Sequence, residues 1–214
     1  MTAPDSERRT RITRPHVIAS ALTAVAHPGE YSPLTSTFSL LGARTVAVPV
    51  DFFSALRKAV ESPLSAVTVD SVRDAGFYAG QALYDAFSAW LAERGETPAE
   101  SLEDARFTLL VTDFFSEFGW GQMQFTSISD AVIAIDSTDW GEAEGQGAGC
   151  YVSTGLFAGF FGRLASAPIA VLEVECRSAG DDRCRFLLGS IDVLGYVHEA
   201  MGRGIPYERA AASA

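Results

Sequence analysis

All three cysteines of the chain fall in its last third, at positions 150, 176 and 184, and Glu173 stands close to two of them. The pattern C-x22-E-x2-C-x7-C constrains the fold more than any other feature. Residues 168–176 (PIAVLEVEC) are rich in β-branched side chains and read as a strand. Residues 184–189 (CRFLLG) read as a second strand, and Ser178-Ala179-Gly180-Asp181-Asp182 between them is a turn-type segment. A hairpin symmetric about Gly180 sets Cys176 opposite Cys184, with Cβ atoms about 4.5–5.5 Å apart. Two sulfurs so placed can reach one metal ion at about 2.3 Å each. Cys150 sits where a Gly-rich loop, residues 141–149, gives way to an apolar helical run. A helix N-terminus stabilises a thiolate there. A carboxylate would complete a tetrahedral set. Strand parity resists this arrangement, because Glu173 and Cys176 point to opposite faces of a straight strand. Glu173 can join the sulfurs only if the strand bends or bulges near Val174. The alternative is that the three cysteines are buried small hydrophobes. Their odd number argues against a disulfide framework.

Charge narrows the function classes. The chain has 16 Lys+Arg against 27 Asp+Glu, a net charge of −11. That balance argues against a nucleic-acid backbone and against an anionic membrane surface as direct partners. Hydrophobic residues make up 48% of the chain, with 14 Phe, enough to build one core and to exclude disorder over most of the 214 residues. No run approaches 18 uninterrupted apolar residues, so no transmembrane helix is expected. Residues 17–26 are apolar, but Pro15, His16 and a long charged lead-in argue against a signal peptide. The expected location is cytoplasmic.

Periodicity supplies the remaining elements. Residues 46–50 are a short β-prone run, residues 51–62 a helix and residues 70–94 a long helix. Ser101 is placed as an N-cap with Asp104 behind it. Phe107, Leu110, Val111, Phe114, Phe115 and Phe118 then follow helical spacing, and Gly119 ends the helix. Residues 123–128 and 131–136 form a hairpin around Ser129-Asp130, and residues 191–203 a closing helix. The expected organisation is a mobile tail at 1–14, an N-terminal segment at 15–50 used for dimerisation, one domain at 51–205 and a second tail at 206–214.

The stretch GCYVSTGLFAGFFGRLASAPIAVLEVECRSAGDDRCRFLLG, residues 149–189, resembles the 4-vinyl reductase domain family. That family includes the bacteriochlorophyll-pathway 4-vinyl reductase and the sensor domains of aromatic-responsive transcription activators. The resemblance rests on Cys150 followed by Gly155 and Gly159, then on the cadence Glu173, Cys176, Gly180, Asp181, Cys184 and Phe186. Weaker similarity includes residues 73–83 (RDAGFYAGQAL) and extends back to about residue 46. The resemblance implies zinc held by Cys150, Glu173, Cys176 and Cys184. It also implies an α/β (α+β) fold, an antiparallel sheet of hairpins packed against helices, similar to TRAPP-type tethering subunits and haem gas-sensor domains.

In the sensor members a buried apolar pocket between helices and sheet takes a small aromatic. The residues expected to line such a pocket here are Phe114, Phe118, Phe125, Ile133, Ile135, Thr154, Phe157, Phe160 and Phe161. A Phe stripe at helical spacing can equally be core. The His and Trp that hold the phenol hydroxyl in phenol sensors have no clear equivalents, which points away from phenol to a different or more apolar ligand. There is no Gly-x-Gly-x-x-Gly after a strand and no flavin or iron–sulfur signature, and four protein donors would close a zinc site to catalysis. No catalytic residues are assigned. The expected function is therefore a zinc-stabilised sensor or carrier domain for an apolar, aromatic or tetrapyrrole ligand, acting as a homodimer on a separate effector protein. The alternatives are a bacteriochlorophyll-pathway enzyme or pigment carrier, and a structural adaptor between proteins.

Overall fold

The computed structural model describes residues 29–32, 37–40, 43–46, 48–145 and 147–214. The expected tail at 1–14, much of the segment at 15–50, and His16 and His27 lie outside the described residues. Strands β1 (Gly29–Ser32), β2 (Thr37–Leu40) and β3 (Ala43–Thr45) form a small antiparallel sheet in that order. Helices α1 (Asp51–Glu61), α2 (Val69–Glu93) and α3 (Asp104–Glu117) follow. Next come hairpin β4 (Gln124–Ser129) and β5 (Val132–Ser137), helix α4 (Tyr151–Ala165), hairpin β6 (Ala170–Glu175) and β7 (Cys184–Gly189), and helices α5 (Ile191–Gly202) and α6 (Tyr207–Ala212). The two hairpins build one antiparallel sheet, ordered β4-β5-β7-β6, and helices pack on both faces: the fold is α+β.

Alternation along the central strands divides the core in two. Ile135, Phe186 and Leu188 face α2, α3 and α4, where Phe87, Phe114, Phe115, Trp140, Phe157 and Phe160 are fully buried. Val132, Ala134 and Leu187 face the other way, onto Leu194, Val197 and Ala200 of α5 and Ala210 and Ala211 of α6. The first core is aromatic and the second is built of smaller side chains.

Helix α2 starts at a reciprocal capping box. Thr68 Oγ1 accepts the Ser71 N–H at 3.1 Å, and Ser71 Oγ accepts the Thr68 N–H at 3.0 Å. Helix α4 is apolar over most of its surface and largely buried, with Arg163 of its last turn exposed and paired with Asp85. The two helices meet backbone to backbone. A Cβ at Gly76 or Gly80 would sit 2.2 or 2.0 Å from the carbonyl oxygens of Val152 and Leu156. One at Gly155 or Gly159 would sit 1.9 or 2.1 Å from those of Arg73 and Phe77. Only glycine fits at these four positions, and the crossing fixes α4 against α2.

Three expectations need correction. Residues 46–50 form no strand among those described; Val46 and Val48 are exposed, Pro49 removes a ladder donor, and the chain turns into α1. Ser101 is not the cap of α3. It closes a 3₁₀ turn, Ala99–Ser101, after which Leu102 is extended and Glu103 precedes the helix. Residues 206–214 are not a mobile tail, because 207–212 are helical and Ala210 and Ala211 are buried against the sheet. Among the described residues, no helix is long and apolar enough to cross a membrane.

Candidate metal centre

Cys150, Glu173, Cys176 and Cys184 come together, with one donor atom from each lying within 4.8 Å of all the others. Cys150 Sγ is 3.8 Å from Cys176 Sγ and 3.9 Å from Cys184 Sγ. Thiolates at about 2.3 Å from a tetrahedral ion would be about 3.8 Å apart. The sulfurs are therefore spaced for one metal ion, with Cys150 brought from the start of α4 to the hairpin that supplies the other three donors.

Each donor has a structural reason for its position. Cys150 occupies the cap position of α4, and the glycine crossing holds that helix in place. Cys184 opens β7, opposite Ser137 of β5, and Cys176 follows the end of β6. A register shift between Glu173 and Glu175 resolves the parity problem. Glu173 pairs with Phe186 and Glu175 with Arg185, so Val174 is the extra residue of a β-bulge. Val174 packs with the second core, on the face where Glu175 meets Arg183 and Tyr207. Glu173 and Cys176 consequently share the aromatic face despite their odd separation.

Hydrogen bonds fix the surrounding loops. The Cys150 N–H donates to Glu173 Oε2 at 2.7 Å, whereas Glu173 Oε1 is buried with no hydrogen-bond partner among the described residues. That orphaned oxygen beside three sulfurs is what a cation would satisfy. The Cys176 N–H donates to Asp181 Oδ2 at 2.7 Å, Ser178 Oγ lies 3.0 Å from Cys176 Sγ, and the Arg177 N–H bonds Cys184 Sγ. Hydrogen bonds of this kind orient metal ligands.

The electrostatics agree with this description. Burial, then the neighbouring Cys176 sulfur, pushes the Glu173 carboxyl up to about 8. Contacts with the Cys176 and Cys184 sulfurs, then burial, push the Cys150 thiol up. Contacts from Cys150 and Cys184 hold the Cys176 thiol down. Without a cation, these buried acidic groups oppose one another's ionisation. A divalent ion would remove that conflict by deprotonating its ligands.

Sequence reasoning missed the support behind the site. Glu142 is buried and caps α4, accepting the N–H groups of Val152 at 2.9 Å and Ser153 at 2.6 Å, and bonding Ser153 Oγ. Trp140 Nε1 donates to the same Ser153 hydroxyl at 2.7 Å. Arg57 of α1, also buried, donates to the backbone carbonyls of Glu142 and Glu144. Glu142 stands eight residues before the cap position, in a separate 3₁₀ turn, so no local capping pattern marks it, and a buried arginine on α1 gives no signal either.

The residues expected to line a ligand pocket lie mostly in the aromatic core. Phe114, Ile135, Phe157 and Phe160 have no surface that a water-sized sphere can reach, so no cavity borders them. Their rings fill the volume themselves, with Phe115 5.9 Å from Phe157 and 5.3 Å from Phe160 between centroids. Phe161 is buried, Phe118 and Phe125 are half-buried at the rim, and Ile133 is 48% exposed beyond the helices. Thr154 is buried and donates to the Cys150 carbonyl at 2.8 Å. It also borders an open cleft of about 400 Å³ between α2, α4, β6 and α5, walled by Arg73, Phe77, Val171 and His198.

Comparison with known proteins falls on this segment. No curated protein matches the chain. Among solved structures, it is similar to the phenol-responsive sensory domain of the transcription activator PoxR with phenol, at 16% identity and TM-score 0.60 over 79% of this chain and 88% of that one. It is also similar to a trafficking protein particle complex subunit 3 from Naegleria fowleri covalently bound to palmitic acid, at 13% identity and TM-score 0.51 over 65% and 91%. A vinyl-4-reductase family protein from Methanocaldococcus jannaschii aligns at 16% identity and TM-score 0.46 over 69% and 85%. The first two likenesses show a shared fold. The family model of the 4-vinyl reductase domain matches residues 141–190, the segment that supplies all four donors of the candidate metal centre.

Proposed function

We propose that this chain is a zinc-stabilised module that binds a small apolar or aromatic molecule and passes the event to a protein partner. One observation carries the reading: three sulfurs and a carboxylate converge within 4.8 Å on the segment that matches the 4-vinyl reductase domain. Zinc is the fitting ion, because tetrahedral sites rich in thiolate select it. It would clamp α4 to the β6–β7 hairpin, with all four positions taken by protein. Such a closed site supports a structural role over catalysis. Three free thiols in one site favour a reducing compartment, and hence the cytoplasm. The shared fold with a sensory domain solved with phenol supports the ligand class. Entry to the aromatic core would require its rings to part, beginning with half-buried Phe118 and Phe125. The exposed run Val46, Val48, Val50 and Phe52 supports a homodimer, since apolar side chains so close together seek cover.

The filled aromatic core favours a second reading, that of an adaptor that binds protein alone. Metal analysis and native mass spectrometry of protein purified without added ligand test both. One zinc per chain with a co-purified aromatic or tetrapyrrole supports the sensor. One zinc with a bound protein and no small molecule supports the adaptor. A metal-free chain with three titratable thiols removes the zinc. Light scattering at micromolar concentration tests the dimer, and a monomer mass there would remove it.

A further inference from the structure

The bulge at Val174 serves two sites at once. On the aromatic face it turns Cys176 to the side of Glu173 and the other sulfurs. On the opposite face it sets Glu175 beside Arg185, and Tyr207 of α6 reaches both: its hydroxyl donates to Glu175 Oε1 and accepts from Arg185 Nη1 at 3.2 Å. The same carboxylate accepts from Arg183 Nε at 2.7 Å, and Arg185 makes a two-pronged pair with Asp136, both contacts at 2.6 Å. Asp136 and Arg185 are largely buried, so this network is held in a medium where charge-assisted bonds are strong.

In an unbulged strand running on from Glu173, Glu175 would face the sulfurs and Cys176 would turn away. The metal ligands and the Tyr207 contact therefore need the same backbone arrangement and are lost together. Resting on the metal reading above, we propose that Tyr207 is a positioning residue for the metal centre, and that the docking of α6 and the binding of the ion are thermodynamically linked through the Val174 bulge. Each event favours the bulged strand, so each favours the other by the same factor. Helix α6 packs against α5 and β4. It is six residues long and anchors on Tyr207 and two buried alanines.

The test uses the full chain loaded with zinc. Zinc content is measured first, then zinc affinity by competition with a chelator, in wild type, Tyr207→Phe and Leu91→Ala. Leu91 is buried in α2 against the aromatic core, so its truncation lowers stability without touching the hairpin. Tyr207→Phe should weaken zinc binding about five-fold or more, while Leu91→Ala lowers Tm and leaves the affinity within two-fold. Hydrogen exchange gives the reciprocal readout. Stripping zinc should speed exchange at the Ala210 amide, which bonds the Pro206 carbonyl, by a larger factor than at the Leu91 amide. Zinc at one per chain with equal affinity in Tyr207→Phe, or Ala210 exchange indifferent to zinc, overturns the linkage alone. A chain that takes no zinc overturns both the linkage and the metal reading.

Discussion

The sheet is made of two hairpins of equal strand length, and they are held in different ways. In β4–β5 the strands are joined by Asp130 and Ala131, and a register shift between Ser127 and Ser129 is confined to the turn end. The ladder itself sets the pairing. In β6–β7 an eight-residue excursion separates the strands, and the shift falls at Val174, among residues that carry chemistry. The excursion carries its own 3₁₀ turn, Arg177–Ala179, with backbone bonds from the Ala179 and Asp181 N–H groups to the Cys176 carbonyl. The turn is fastened by Asp181 on the Cys176 N–H and, on our reading, by zinc. Each bulge falls at the fifth residue of its six-residue strand, Ile128 in β4 and Val174 in β6, but only the one at Val174 lies beside donors of the candidate metal centre, where it selects which side chains share the aromatic face.

The most disruptive way to erase this contrast is to disturb the helix above both hairpins. Gly155→Ala would drive a methyl group into the Arg73 carbonyl. It should cost about 3 kcal/mol, or on the order of 10 °C in Tm, with exchange rising in both hairpins together. Cys184→Ala should come next, with zinc lost and Tm lowered by about 5–10 °C. Here exchange should rise in β6–β7 and at Cys150 while β4–β5 stays protected. Equal exposure of the two hairpins would show that the metal does not hold the second one. A finer contrast lies in the turns. Asp181→Ala removes the acceptor of a part-buried N–H and should cost about 1–2 kcal/mol. Asp130→Ala should stay within about 0.5 kcal/mol in thermal melts.

The smallest effect is a control away from both hairpins. Burial, then the hydrogen bond to Glu100, pushes the Tyr84 hydroxyl up to about 12. Its folded value lies above its unfolded one, so the contribution is full below about pH 10 and fades as pH rises through 12. The Tyr84 bond also holds Glu100 below the usual carboxylate range, a contribution lost at acid pH. Tm against pH should therefore fall less steeply above pH 10 in Tyr84→Phe than in wild type. A curve identical to wild type would remove Tyr84 as the source.

Periodicity and turn residues were enough to read both hairpins, the long helices and the cysteine cadence, because side-chain alternation and turn chemistry act locally. The Val174 bulge was legible only as a need: the alternating VLEVE run contains no glycine and no break. What selects the extra residue is tertiary, Arg185 and Tyr207 on one face and the sulfurs on the other. Helix α6 was hidden for a related reason. Its buried side chains are alanines, too small to mark a hydrophobic stripe in six residues, yet they fit closely under the sheet. The Phe stripe was visible, but spacing cannot distinguish rings that enclose a ligand from rings that enclose one another.

The glycine crossing has a kinetic consequence. The segments it joins, around Gly76 and Gly155, are far apart in the chain, so their meeting closes a longer loop than the β6–β7 hairpin does and should follow it in folding. Glu173, Cys176 and Cys184 are neighbours in sequence and can gather around an ion beforehand. Cys150 arrives only when α4 seats against α2. On the zinc reading, the hairpin of a newly made chain would offer three donors first, and Cys150 would join them as the two helices close.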